Sequence, residues 1–154
     1  MKVAIIHYWL IGMRGGEKVL EDICSIYPDA DIYTHIYDQN KVSSFLNSFT
    51  IKTTFINSLP FSNKIHSIYL PLMPLALKFL NLQSYDLIIS SEAGPSKGVQ
   101  KHQAKHVCYC HSPMRYIWDM YSIYYKNSSI MNKIALRLFK KPLRKWDVKS
   151  SYNL

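Results

Sequence analysis

The chain opens on a continuous apolar run, Val3-Ala4-Ile5-Ile6, that ends in His7. A run that does not alternate predicts a strand covered on both faces, the usual state of a parallel sheet. A loop follows, Gly12-Met13-Arg14-Gly15-Gly16, and Glu17 opens a helix expected over 17–27. Val19, Leu20, Ile23, Cys24 and Tyr27 give that helix one apolar stripe at helical spacing, and Pro28-Asp29 ends it. Strands are predicted at 31–34, 50–54, 85–91 and 105–110, with a small helix at 42–46. Residues 55–82 are apolar and punctuated by Pro60, Pro71 and Pro74; they read as short helices, most clearly at 72–80. Residues 114–121 are expected to be helical. The last third repeats apolar pairs every four residues, Ile130/Met131, Ile134/Ala135 and Leu138/Phe139, and Pro142 should break or kink the helix they predict. Strands alternating with helices predict an α/β fold, a Rossmann-like parallel sheet with helices on both faces.

Size and charge narrow the picture. The 154 residues suit one domain, and a chain of this length buries roughly 68–70% of its unfolded surface. The net charge of +9 favours phosphate-rich partners: nucleic acid, anionic lipid or nucleotide. From Lys126 onward, eight Lys and Arg stand against one acid, Asp147. No nucleic-acid-binding motif accompanies that charge. Three cysteines without framework spacing argue against a secreted disulfide scaffold and for a reducing compartment. The apolar start is too short for a signal peptide. No window reaches the ~18 apolar residues of a spanning helix. A cytoplasmic protein is expected.

Ligands of such sheets bind at the carboxyl ends of the strands, and three segments predicted there carry chemistry. Gly15-Gly16 before a helix suits either close approach of a phosphate to free N–H groups or a tight turn with no ligand. In the loop 90–98, Glu92 and Lys97 are either sugar or phosphate ligands or, as the loop alone favours, surface charges on a solvated turn. Cys108 and Cys110 share one strand face. Their spacing is not that of a zinc site, and they read as small buried residues. His111, at the strand end, is either structural or a ligand contact. The basic helix with Lys140, Lys141, Arg144 and Lys145 reads as a solvated face over a packed one, or as a surface for anionic lipid.

Four stretches resemble a subgroup of glycosyltransferase family 4. They are the run from His7 through Gly15-Gly16-Glu17 to Glu21, Tyr69-Leu70-Pro71-Leu72-Met73-Pro74, Ser90-Ser91-Glu92-Ala93-Gly94-Pro95-Ser96-Lys97-Gly98, and Cys108-Tyr109-Cys110-His111-Ser112-Pro113-Met114-Arg115-Tyr116-Ile117-Trp118-Asp119. They occur in family order and span nearly the whole chain. The resemblance implies the N-terminal, acceptor-side domain of a two-domain GT-B enzyme. Its reaction is retaining transfer of a hexose, often mannose, from a GDP- or UDP-sugar to a glycan or lipid-linked acceptor of a bacterial surface polysaccharide. It implies Gly15 and Gly16 at the donor phosphate and His111 at the donor sugar; Glu92, Lys97 and Arg115 are the further residues expected to touch substrate. No metal or cofactor is expected, the nucleotide sugar being a substrate. Lys140, Lys141, Arg144 and Lys145 would face the inner leaflet. Tyr8 departs from the family, many members of which have Asp there. The donor-binding C-terminal domain is not among these 154 residues, so the chain is expected to be a fragment, a truncated reading frame or half of a split enzyme whose partner is a separate chain. The alternative is a silent basic module that binds membrane or a partner.

Overall fold

The computed structural model describes residues 1–152 and 154. The elements run β1 (Val3–His7), α1 (Gly15–Ile26), β2 (Asp31–Thr34), α2 (Ser44–Asn47), β3 (Ile51–Thr53), α3 (Ser62–Ile65), α4 (Met73–Ala76), β4 (Leu87–Glu92), β5 (Lys105–Cys110), α5 (Tyr121–Asn127) and α6 (Ile130–Ser151). All five strands form one parallel sheet in the order β3-β2-β1-β4-β5. The fold is α/β and Rossmann-like, as the alternating pattern predicts.

The sheet has a core on each face, and the alternation of β1 divides them. Val3 and Ile5 pack with Leu20 and Cys24 of α1 and with Leu46 of α2. Ala4 and Ile6 pack on the other face with Leu77, Leu82 and Val99, and Trp146 of α6 leans on that cluster. Every residue of β1 is buried, so Val3 through Ile6 form an apolar run with no polar position to alternate.

The chain winds from β1 out to β3 and restarts at β4, on the other side of β1. The order therefore reverses between β1 and β4. In open α/β sheets that reversal opens a crevice at the carboxyl ends of the two strands.

The C-terminal third differs from expectation in three ways. Residues 115–120 form turns, and the helix starts only at Tyr121. α6 runs 22 residues without a break, with Pro142 inside it. Proline removes one ladder bond and costs about 3 kcal/mol; here Leu143 packs against Met114 and Ile117 just beyond it and holds the helix on course. Finally, the apolar repeat is not the packed face. Ile130, Ile134 and Leu138 are 78%, 56% and 64% exposed, and the helix seats through Leu143, Asp147 and Ser150.

Candidate functional site

Three strand ends converge at the reversal. The register sets His7 of β1 beside Ser91 of β4. The Ser91 hydroxyl lies 3.1 Å from His7 Nδ1 and 2.8 Å from Nε2 of His111, the residue just after β5. On the far side of His7, Nε2 faces Glu17 Oε1 at 3.8 Å. Burial holds the His7 imidazole below its ordinary pKa, so it is neutral, and burial lowers His111 in the same sense. Burial pushes the Glu17 carboxyl up, but His7 and the backbone N–H of Arg14 outweigh it and keep it ionised. That Arg14 N–H donates to Glu17 Oε2 at 2.9 Å, which caps the start of α1.

Gly16 lies over this row. A Cβ there would stand 3.0 Å from the Tyr8 hydroxyl and 3.9 Å from His111 Nε2, whereas a Cβ at Gly15 would meet nothing within 4 Å. Gly16 is thus glycine because the first turn of α1 approaches the Tyr8 hydroxyl too closely for a side chain. Gly15 has no such steric reason.

A cavity of about 490 Å³ opens above these residues. It is lined by Tyr8, Trp9, Arg14, Gly15 and Gly16, by His111, Ser112 and Arg115, and by Asn132, Ala135 and Leu136 of α6. First-turn N–H groups of a helix have no intrahelical partner, and Arg14 and Arg115 line the same cavity as Gly15 and Gly16. The electrostatics favour an anion. Burial pushes the Tyr8 phenol up to about 12, so it remains a hydrogen-bond donor on the wall.

Gly15, Gly16, His111 and Arg115, singled out from sequence, line this one cavity. Glu92 and Lys97 do not. The loop after β4 is not a solvated turn: both side chains are buried, at 0% and 6% exposure. Lys97 Nζ pairs with Glu92 Oε1 at 2.9 Å and donates to Asp147 Oδ1 of α6 at 2.5 Å. Trp118 Nε1 donates to the other Asp147 oxygen at 2.7 Å. Burial opposes the Lys97 charge, and the two carboxylates outweigh it. With their heads engaged, Glu92 and Lys97 bind the protein to itself and are not open to a substrate.

The other expectations divide. Arg144 is not free to face a membrane: its Nε donates to Ile117 O at 2.6 Å, and its guanidinium lies over Trp118. Lys140 turns to the ring of Tyr121 at 3.4 Å. Lys141 and Lys145 are exposed. Cys110 is exposed and Cys108 half-buried, because β5 is the sheet edge and not a covered strand. Among the described residues no three His, Cys, Asp or Glu side chains are grouped to hold a metal.

Sequence reasoning missed His7, Glu17 and Ser91 as site members. In sequence Glu17 reads only as the start of a helix, and nothing in spacing alone brings Ser91 to His7, 84 residues away. It also missed His35, whose Nε2–H donates to Pro95 O at 2.8 Å and so anchors the loop after β4. In comparisons with known proteins, no family model, no curated protein and no solved structure matches this chain.

Proposed function

We propose that this chain is the N-terminal, acceptor-side domain of a retaining glycosyltransferase that moves a hexose from a nucleotide sugar to a glycan or lipid-linked acceptor. The reading rests on the family-4 resemblance of its motifs. One observation supports it most: Gly15, Gly16 and His111, three residues which that resemblance assigns to the donor, line a single cavity at the sheet reversal. There the N–H groups of Gly15 and Gly16, with Arg14 and Arg115, would meet the diphosphate, and His111 would meet the sugar. Transfer requires stabilisation of a leaving phosphate by preorganised donors; those on this chain would add to the groups that the resemblance assigns to a second domain. In a retaining reaction of this kind the leaving phosphate would take the acceptor proton.

The test is a titration of the isotope-labelled chain with GDP-mannose, UDP-glucose, GDP, UDP and inorganic diphosphate, followed by backbone NMR. Shifts centred on Gly15, Gly16, His111 and Arg115 are expected with at least one nucleotide. Gly16→Val should abolish them. Gly15→Ala should fold normally, since its Cβ meets nothing, so a loss of nucleotide response there reports close approach of the anion itself. Shifts confined to the basic face of α6 would overturn the donor reading and favour the silent membrane- or partner-binding module.

A further inference from the structure

The row Glu17, His7, Ser91, His111 joins four side chains from three strand ends and one helix start. Three of its members are completely or almost completely buried: Glu17 at 1%, His7 at 0% and Ser91 at 0%. Only His111 reaches the cavity. The hydrogen bonds fix a direction along this row.

A carboxylate only accepts. Glu17 Oε1, at 3.8 Å, is the group facing His7 Nε2, which has no hydrogen-bond partner of its own. The neutral imidazole therefore carries its proton on Nε2, with the N–H dipole toward the carboxylate; the opposite tautomer would set a lone pair against a negative charge at low local dielectric. His7 Nδ1 is then an acceptor, and the Ser91 hydroxyl donates its single proton to it across 3.1 Å. Ser91 Oγ can now only accept, so the 2.8 Å contact is a bond donated by His111 Nε2–H. His111 is left with a bare Nδ1 as its one acceptor.

We propose that Glu17 sets the tautomer of His111 through His7 and Ser91, so that the cavity histidine holds its proton on Nε2 and keeps Nδ1 as a hydrogen-bond acceptor. Glu17, His7 and Ser91 are positioning residues: they touch no ligand and act on the one that does. The assignment itself needs no substrate. Its meaning for transfer rests on the glycosyltransferase reading, in which a hydroxyl of the bound sugar would donate to the ring.

Glutamine at position 17 should reverse the row. Its carbonyl can still accept from the Arg14 N–H, and its amide can donate to His7 Nε2. His7 would then be protonated on Nδ1 and donate to Ser91, and Ser91 would donate to His111 Nε2. His111 would be left with its proton on Nδ1.

The experiment is long-range ¹H–¹⁵N correlation of the ¹⁵N-histidine-labelled 154-residue chain, without nucleotide or sugar, at a pH well above the ordinary histidine value. In the wild-type chain both His7 and His111 should appear as Nε2–H tautomers. Glu17→Gln should invert the His111 tautomer ratio, with the melting temperature of the chain recorded beside it. In the Ser91→Ala background, Glu17→Gln should change His7 and leave His111 unmoved. A wild-type His111 in the Nδ1–H form overturns the proposal, and this reading needs no variant to fold. So does a His111 signal identical in the wild type and in a folded Glu17→Gln variant. Because no ligand is present, these outcomes stand or fall apart from the nucleotide titration that tests the function.

Discussion

Single side chains separate what serves a ligand from what serves the fold. His111 is partly exposed and makes one side-chain hydrogen bond, to Ser91. In an enzyme carrying both domains, His111→Ala should lower transfer roughly ten- to a hundredfold, the scale of one strong polar contact. Its melting temperature should hardly move; a large drop would mark His111 as structural. Lys97 is the opposite case. Lys97→Met leaves Glu92 and Asp147 buried without their cation, and breaking a buried pair from one side costs about 3–5 kcal/mol. Chemical denaturation should show that loss, and a change below 1 kcal/mol would mean that the cluster is solvated in solution. At this scale the sequence was a partial guide. Gly16 and His111 could be singled out because glycine before a helix and histidine at a strand end are unusual in themselves. Glu92 and Lys97 could not be told from surface charges, because the carboxylate that completes their cluster, Asp147, lies fifty residues beyond Lys97.

Among the elements, β1, α1 and β4 were legible because each is buried in a way its own residues record. α6 was not. Its apolar repeat gives it a strong helical pattern, yet which face packs is decided by Leu143, Asp147 and Ser150, and by a Cβ-free Gly98 on which Trp146 rests. What the helix leaves outside is informative. Ile130, Ile134, Leu138, Lys141, Lys145 and Val148 follow one another along one exposed face. Arg137 and Lys149, also exposed, flank it. An apolar ridge among cations is the composition of a helix that lies on an anionic bilayer. Each cation near such a surface contributes on the order of 1 kcal/mol, and salt screens it. The chain should co-sediment with anionic liposomes at low salt, and less with neutral ones. Changing Arg137, Lys141, Lys145 and Lys149 together to Gln should release it. Arg144→Gln should instead lower stability, because it removes the bond to Ile117 O. No sedimentation with anionic vesicles even at low salt would remove the membrane from the proposed partners. No helix among the described residues is long and apolar enough to cross one.

For the molecule as a whole, buried histidines make stability depend on acid. Burial holds His35 and His106 down to about 4, from an ordinary value of 6.5. The unfolded chain thus takes up protons first as pH falls, so the contribution is fully present above 6.5 and lost toward 4. Each group accounts for roughly 3 kcal/mol over that window. Melting temperature should fall steadily between those limits, and a flat profile would show that these rings find water in solution. The fold class was readable from alternation alone. The strand order was not, since it depends on which side of β1 the chain returns to. Function at this scale also has an expected limit. The resemblance assigns the groups that stabilise the leaving diphosphate to a second domain, so these 154 residues alone should transfer no measurable sugar from a panel of radiolabelled nucleotide sugars. Robust turnover would show that the cavity suffices.

The strand order also sets a timetable. β1 lies between β2, which follows it closely in the chain, and β4, which does not, and the His7–Ser91 contact spans 84 residues. Closing so long a loop delays the contacts that reward it. β1, α1 and β2 can associate while β4 is still at large, but until it arrives His7 has no serine and His111 no anchor. The cavity draws its lining from both sides of that closure, Gly15 and Gly16 before it and His111 after it, so it is complete only once β4 and β5 are in place.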